Sequence, residues 1–434
     1  MEHILARAKK VAGEAEVFQV SSEETQVRFE ANRLKQLQNN QTTSVALRII
    51  KDGRIGYATT TGTGDADELV GNAVETAEFG TVARFQLPDT QDYPRVDIYD
   101  PAVESVSIKE MIDLGEEMIA AVTGHTPGIM CEAGVSRGVI SLRIMNSRGG
   151  RAEYRKSFFS LDIEGNLIEE TDMLFVGESE SSCHPLTDPE KVTSLVLRQL
   201  DLAKNRAKAP TRQMPVVFTP NGVGSALILP LMSALNGKMV LEGASPVGDK
   251  VGKTVFDKKL SLRDDPMVGY RPGSRPCDDE GVPSQRTPLV SKGVIRGFLY
   301  DLQTAALSGT RSTGNGSRKR GGLPAPAPSA FIVTPGKTTF DEMVADIKEG
   351  LVVEQLMGAE QGNILGGDFS GNVLLGYKVE NGKIVGRVKD TMVSGNIYKV
   401  LKDIAAIGSE AKWIGGFLQT PPFYCKGLSV SSKG

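Results

Sequence analysis

Apolar residues recur along this chain at two different spacings, and the changes between them mark out its elements. A helical spacing runs from about His3 to Val11, and strand-like segments follow around Glu16 to Val20 and Glu24 to Glu30. Val45 to Ile50 continues through Lys51-Asp52-Gly53-Arg54 into Ile55 to Ala58, and an Asp-Gly pair between two β-rich runs predicts a hairpin. Helical spacing returns in Leu69, Val70, Ala73, Val74 and Ala77 behind Asp65, a capping residue with Glu68 three positions on. It returns again in Met111, Ile112, Gly115, Met118, Ile119 and Val122 behind the capping box Ser107 to Glu110. Both helices are expected to pack on the first-half sheet.

From Ile129 to Gly177 the pattern turns to short strands, among them Val139 to Met145, Glu153 to Ile163 and Met173 to Val176. Asp188 and Pro189 then open a helix with Val192, Leu195, Val196 and Ala203 on one face, and it runs out in a polar stretch closed by Pro210. Pro215 to Phe218 reads as a strand and Gly222 to Leu235 as a buried helix entered through Thr219-Pro220-Asn221-Gly222. Lys292-Gly293 and Asn381-Gly382 repeat the hairpin signal of Asp52-Gly53. Leu241 to Pro283 reads as irregular strand and loop, Leu323 to Pro328 as polyproline-like chain, and Thr339 to Ile347 and Asn396 to Ile407 as later helices. No βαβ alternation with a dinucleotide fingerprint occurs, so the expected class is α+β, with mainly antiparallel sheets and packed helices. At 434 residues the chain exceeds what one core usually serves, which gives two expected domains, 1–210 and 211–434, both α+β and the second β-rich.

A net charge of −3 gives no overall cationic field for nucleic acid or an anionic membrane. The N-terminal residues form no apolar signal core, and the apolar run Val223 to Leu235 is shorter than the roughly 20 residues a bilayer requires. A cytoplasmic protein is therefore expected. Cys131, Cys183, Cys277 and Cys425 are scattered, as reduced structural thiols are.

Candidate chemistry is sparse. His3, His125 and His184 have no second histidine within a helical turn, so no helical zinc pair exists. Cys183-His184 places a thiol beside a base, though adjacent residues usually point apart. Asp278, Asp279 and Glu280 follow Cys277 and precede Gly281; such carboxylates either contact a ligand or fold a turn through their own side chains. The stretch Arg311 to Gly322 is basic and glycine-rich, with Arg311, Asn315 and Arg318 as candidates for peptide or partner contact alongside the three carboxylates, but it lacks the Gly-Lys-Ser/Thr ending of a phosphate loop.

Several second-half blocks, taken in order, carry a resemblance: Asn221-Gly222-Val223-Gly224, CDDEGVPSQRTPLV from Cys277, GVIRGFLYDLQTA from Gly293, TGNGSRKRGGLPAPAPS from Thr313, and GLSV from Gly427. In these the chain resembles the TldD/PmbA family, once named modulators of DNA gyrase. TldD-type members of that family carry a histidine-glutamate-three-residue-histidine zinc motif on the helix after the Gly-rich turn, with a cysteine ligand nearer the C-terminus. PmbA-type members, also called TldE, lack it, and the two types together form a metalloprotease that processes peptide precursors. In this chain Ile228 and Ser233 stand where the histidines would be and Leu229 where the general-base glutamate would be. Cys425 lies in a segment resembling the family's terminal strand, and the ligand role is not carried over to it.

The resemblance thus implies a PmbA/TldE-type chain that binds no metal itself and is inactive alone. Its expected partner is a TldD-type subunit holding the zinc, with a homodimer in isolation and a peptide or unfolded segment as substrate. Two alternatives stay open: a DNA gyrase or nucleic-acid-associated regulator using Arg318-Lys319-Arg320, and an independent peptidase working through Cys183 or Asp278.

Overall fold

The computed structural model describes residues 1–62, 64–170, 172–318 and 322–433. The first half is a six-stranded antiparallel sheet in the order β3-β2-β1-β4-β5-β6, built from β1 (Glu14–Glu30), β2 (Arg33–Lys51), β3 (Arg54–Thr61), β4 (Met130–Asn146), β5 (Arg151–Glu169) and β6 (Asp172–Ser182). These strands are longer than the apolar pattern suggests, because polar stretches such as Arg33 to Thr43 extend the ladder: Thr42 still pairs with Ser22 and Gln38 with Gln26. A ladder needs backbone groups, which polar residues supply as well as apolar ones.

Turn chemistry sets the register. Asp52-Gly53, Lys292-Gly293 and Asn381-Gly382 each place two successive residues at positive φ, between 48° and 76°, the left-handed pair that a two-residue hairpin turn requires. Ala31-Asn32, at 47° and 66°, does the same between β1 and β2 with no glycine to announce it.

Helices cover the sheet. α1 (Glu2–Ala8) and α2 (Ala66–Glu78) bury Ile4, Leu69 and Ala73 against Val17, Leu47 and Ile49. The short α3 (Ala102–Ser105) leads to α4 (Ile108–His125), whose capping box between Ser107 and Glu110 forms as expected, and α5 (Glu190–Ala203) follows β6. The α4–α5 layer belongs to an apolar cluster that also takes in Val217, Met343, Val352 and Tyr377, so the two halves of the chain share one core.

The second half has two larger sheets. One contains β7 (Arg206–Ala207), β8 (Arg212–Phe218), β15 (Glu349–Met357), β16 (Asp368–Glu380), β17 (Lys383–Val388), β18 (Thr391–Asn396) and β22 (Phe423–Ser432), in the order β15-β8-β22-β18-β16-β17-β7, with β19 (Ile404–Ile407) paired to β22. The other runs β11-β10-β9-β14-β21-β20 through β9 (Leu262–Asp264), β10 (Thr287–Ser291), β11 (Val294–Ile295), β14 (Phe331–Val333), β20 (Lys412–Ile414) and β21 (Leu418–Thr420). A small ladder joins β12 (Gly316–Ser317) to β13 (Ala325–Pro326), so the proline-rich stretch is extended but paired. The mixed, mostly antiparallel α+β class is as expected. The helix expected over Asn396 to Ile407 is a correction: Asn396 caps only the turn Ile397–Val400, after which Ile404 and Ile407 pair with Cys425 and Phe423. Pairing with the terminal strand overrides the local helical spacing there. No described helix is long and apolar enough to cross a membrane.

Close approach of α2 to β3 depends on Gly56, where a Cβ would overlap the Ala73 carbonyl oxygen and the Ala77 methyl. Gly56→Ala is expected to destabilise the protein by about 1–3 kcal/mol. Gly71→Ala, on the open face of the same helix with nothing within 4 Å, should be neutral or stabilise by up to about 1 kcal/mol. Urea midpoints of the two variants check both.

Candidate functional site

The helix after the Asn-Gly turn is the one on which the family resemblance sets the zinc motif of TldD-type members. Thr219 caps it, its hydroxyl accepting from the Gly222 amide, and Pro220 fits the first turn. The chain then runs through α6 (Pro220–Val223), a π-helical turn over Gly224–Ile228, and α7 (Leu229–Ala234). Ile228 is buried at 2% exposure, Leu229 faces outward at 41%, and Ser233 is half-buried. Zinc is taken by thiolate, imidazole or carboxylate, and two hydrocarbon side chains with a neutral hydroxyl do not fit it. Among the described residues no three His, Cys, Asp or Glu side chains gather where a metal ion could sit.

Cys425 is buried on β22 between β8 and β19, and its thiol is pushed up to about 12 by burial. The four cysteines are unpaired and buried. Cys183 and His184 do diverge. The Cys183 thiol is pushed up to about 11 by desolvation, the reverse of an activated nucleophile. His184 turns to Asp100, with Nδ1 2.6 Å from Oδ2, and stacks on Tyr270.

The carboxylates and the basic loop converge, but inward. Strand alternation puts Glu16 and Phe18 of β1, with Ala46 and Arg48 of β2, on the sheet face opposite Val17 and Leu47, and Glu16 is the register partner of Arg48. That face meets the 277–281 turn of the second half, where Cys277 joins the apolar cluster that holds Phe18 and Ala46. Arg48 donates to Glu280 at 2.5 Å and to Glu16 at 3.1 Å. Arg318 pairs with the other oxygen of Glu16, donates through Nε to the Asp279 carbonyl, and lies over the Phe18 ring.

Asp278 folds the turn through its own side chain, accepting from the amides of Glu280, Val282 and Gly316 at 2.8–2.9 Å. Asp279 accepts from the Arg318 amide at 2.7 Å and faces Arg275 at 3.6 Å. Asn315 donates to Asp264 at 2.7 Å. Of the six residues singled out as possible peptide or partner contacts, Asp278, Glu280, Asn315 and Arg318 are thus buried, Asp279 is half-buried and Arg311 is exposed. Lys319 and Arg320, which the nucleic-acid alternative needs, lie outside the described residues.

Burial raises the Asp278 and Glu280 carboxyls above the ordinary range. Arg275 opposes the shift at Asp278; Arg48 opposes it at Glu280, where the charges of Asp278, Asp301 and Glu16 reinforce it. Glu16 and Arg48 were missed from sequence. Their one signal is a charge set among apolar residues, in Ala15-Glu16-Val17-Phe18 and Ala46-Leu47-Arg48-Ile49.

Comparison with known proteins gives the family and the fold. The model of the PmbA/TldA metallopeptidase C-terminal domain matches residues 211–432, that of domain 1 matches 15–77, and that of the central domain matches 101–204. An uncharacterized protein of Methanocaldococcus jannaschii is 29% identical over 93% of each chain. Metalloprotease PmbA of Escherichia coli O157:H7 is 25% identical over 94% of this chain and 89% of its own. A metalloprotease TldD homolog of Haemophilus influenzae is 30% identical, but over half of this chain and 45% of its own. The crystal structure of TldE from Thermococcus kodakarensis shares the fold, with a TM-score of 0.89 over all of both chains at 20% identity.

Arg48→Ala would leave Glu16 and Glu280 buried with too little counter-charge, an expected loss of about 3–5 kcal/mol in denaturant unfolding. The raised carboxyls of Asp278 and Glu280 hold a proton more tightly folded than unfolded. Their contribution is therefore full below the ordinary carboxylate range and is lost as pH rises through the raised folded values. Glu280→Gln, which keeps an acceptor for Arg48 and the Leu302 amide, should flatten that decline in unfolding midpoints measured on both sides of neutrality.

Proposed function

The chain belongs to the PmbA/TldA metallopeptidase family, and from that premise we propose that it is the non-catalytic, PmbA/TldE-type subunit of a two-component zinc metallopeptidase. The observation that carries the reading is the helix Pro220–Ala234, which keeps its capped entry and its place in the core but presents Ile228, Leu229 and Ser233 in place of two metal ligands and a base. Nothing in those side chains can lower the pKa of a water or take its proton. The zinc is held by a TldD-type partner in a cytoplasmic complex, and the substrate is a peptide or an unfolded segment. Names borne by full-length relatives, metalloprotease PmbA and TldE, support the same branch of the family.

Within such a complex the chain contributes shape. Its ligand-free helix is packed by Leu227, Ile228 and Leu231 into the apolar core of the second half, which makes it a rigid wall. Produced together with a TldD-type protein, the chain is expected to co-purify with it, zinc should follow the partner after separation, and peptide hydrolysis should require both. Stoichiometric zinc in this chain, or zinc-dependent hydrolysis by it with the partner absent, would overturn the reading.

A further inference from the structure

A cleft runs between β6 and α5 on one side and the start of α6, β15 and β20 on the other. Its hollows meet at Glu178, which lines each of them. Glu178 itself is fully engaged: Lys412 pairs with one oxygen, and Asn221 and Gln199 donate to the other at 3.0 and 3.3 Å. The hollow of about 170 Å³ beside it is lined by three charged groups that are not engaged in this way, Glu354, Arg198 and the exposed Glu410. Glu354 accepts a hydrogen bond from the Thr219 hydroxyl at 2.8 Å, and among the described residues it has no ion-pair partner. Arg198, exposed at the rim, lies 5.3 Å above the Phe340 ring and likewise makes no ion pair among the described residues. Leu195, Leu202, Phe340 and Pro422 supply the apolar part of the lining.

An acceptor of positive charge and a donor to negative charge thus open on one hollow, each within the other's field but without a direct ion pair among the described residues. Its volume is close to the roughly 150 Å³ that holds a benzene ring, and below the roughly 300 Å³ at which sites for larger ligands begin. That volume suits a single small residue. We propose that the hollow binds the zwitterion of a small apolar α-amino acid, its ammonium on Glu354, its carboxylate on Arg198 and its side chain against Leu195, Leu202 and Phe340. Charge-assisted hydrogen bonds at both ends would supply orientation as well as affinity. The site is a property of this chain alone and does not rest on the subunit reading.

The proposal carries a pH signature. Burial, with the charge of Glu178 adding to it, pushes the Glu354 carboxyl up to about 7, against the Thr219 hydrogen bond and the charges of Arg198 and Lys412. Glu410 also lines the hollow, and Tyr377 interacts electrostatically with Glu354. An incoming ammonium must meet an ionised Glu354, so binding releases a proton and weakens as pH falls below about 7, by up to about tenfold per pH unit.

Calorimetric titration of the full chain tests this with L-leucine, leucinamide, which lacks the carboxylate, and N-acetylleucine, which lacks the ammonium. Leucine should bind, each analogue should bind at least about tenfold more weakly, and affinity for leucine should fall from about pH 8 to about pH 6. Glu354→Gln and Arg198→Ala should each abolish binding, and Arg198, being exposed, can be replaced without disturbing the fold. Absence of binding by the wild-type chain at roughly 10 mM leucine, equal affinity for either analogue, or unchanged affinity in folded Arg198→Ala protein would overturn it.

Discussion

Arg48 through Glu280, and Arg318 through Glu16, hold the two halves of this protein together. One face of the first sheet would otherwise end in a buried carboxylate, and one face of the second half in another, Glu280. Each ion has lost its water, at a cost of several kcal/mol that is offset only when geometry and remaining hydrogen bonds are good. The arrangement meets that demand: Glu280 also accepts from the Leu302 amide, Arg48 lies over Phe85, and Arg318 lies over Phe18. A docking error of one residue in β1 or β2 would turn Glu16 or Arg48 to the opposite face and break the set. Specificity of docking, more than net stability, is what such a cluster contributes.

Charge counting explains the protonation behaviour of the same cluster. Glu16, Asp278, Asp279 and Glu280 set four carboxylates against the guanidinium groups of Arg48, Arg275 and Arg318. The surplus negative charge sits where desolvation is complete, and it is relieved most cheaply by a proton on Asp278 or Glu280, the two groups whose carboxyls are raised. Gly316 belongs to this balance, since a side chain there would strike the Glu280 carboxylate.

Local chemistry was the legible part of the sequence. Capping residues at Asp65 and Ser107, the glycine-bearing hairpin turns and the helical faces of α2, α4 and α5 appear as written, because each depends on neighbours a few residues away. What failed depends on partners far along the chain. The polar half of β2 is a strand because β1 lies beside it, Ala31-Asn32 is a turn because two strands require one, and Ile404–Ile407 is a strand because β22 is there to pair with it. The basic loop and the acidic turn were legible as a pair of unusual compositions. Their inward orientation was not, since the residues that receive them, Glu16 and Arg48, stand more than two hundred positions away.

The helix Pro220–Ala234 and the charged cluster obey opposite rules for the same physical reason. A metal site keeps polar ligands in a core because the ion compensates their burial; without the ion those ligands would be unsatisfied groups, each costing about 1–3 kcal/mol. Ile228, at 2% exposure, shows the inexpensive solution, which is to make the inward position apolar, while Leu229 on the outward side is under no such constraint. The cluster cannot take that route piecemeal, because removing any one member strands a partner. Positions on this helix can therefore change one at a time and keep the fold, whereas the charges between the two halves must be kept or replaced together.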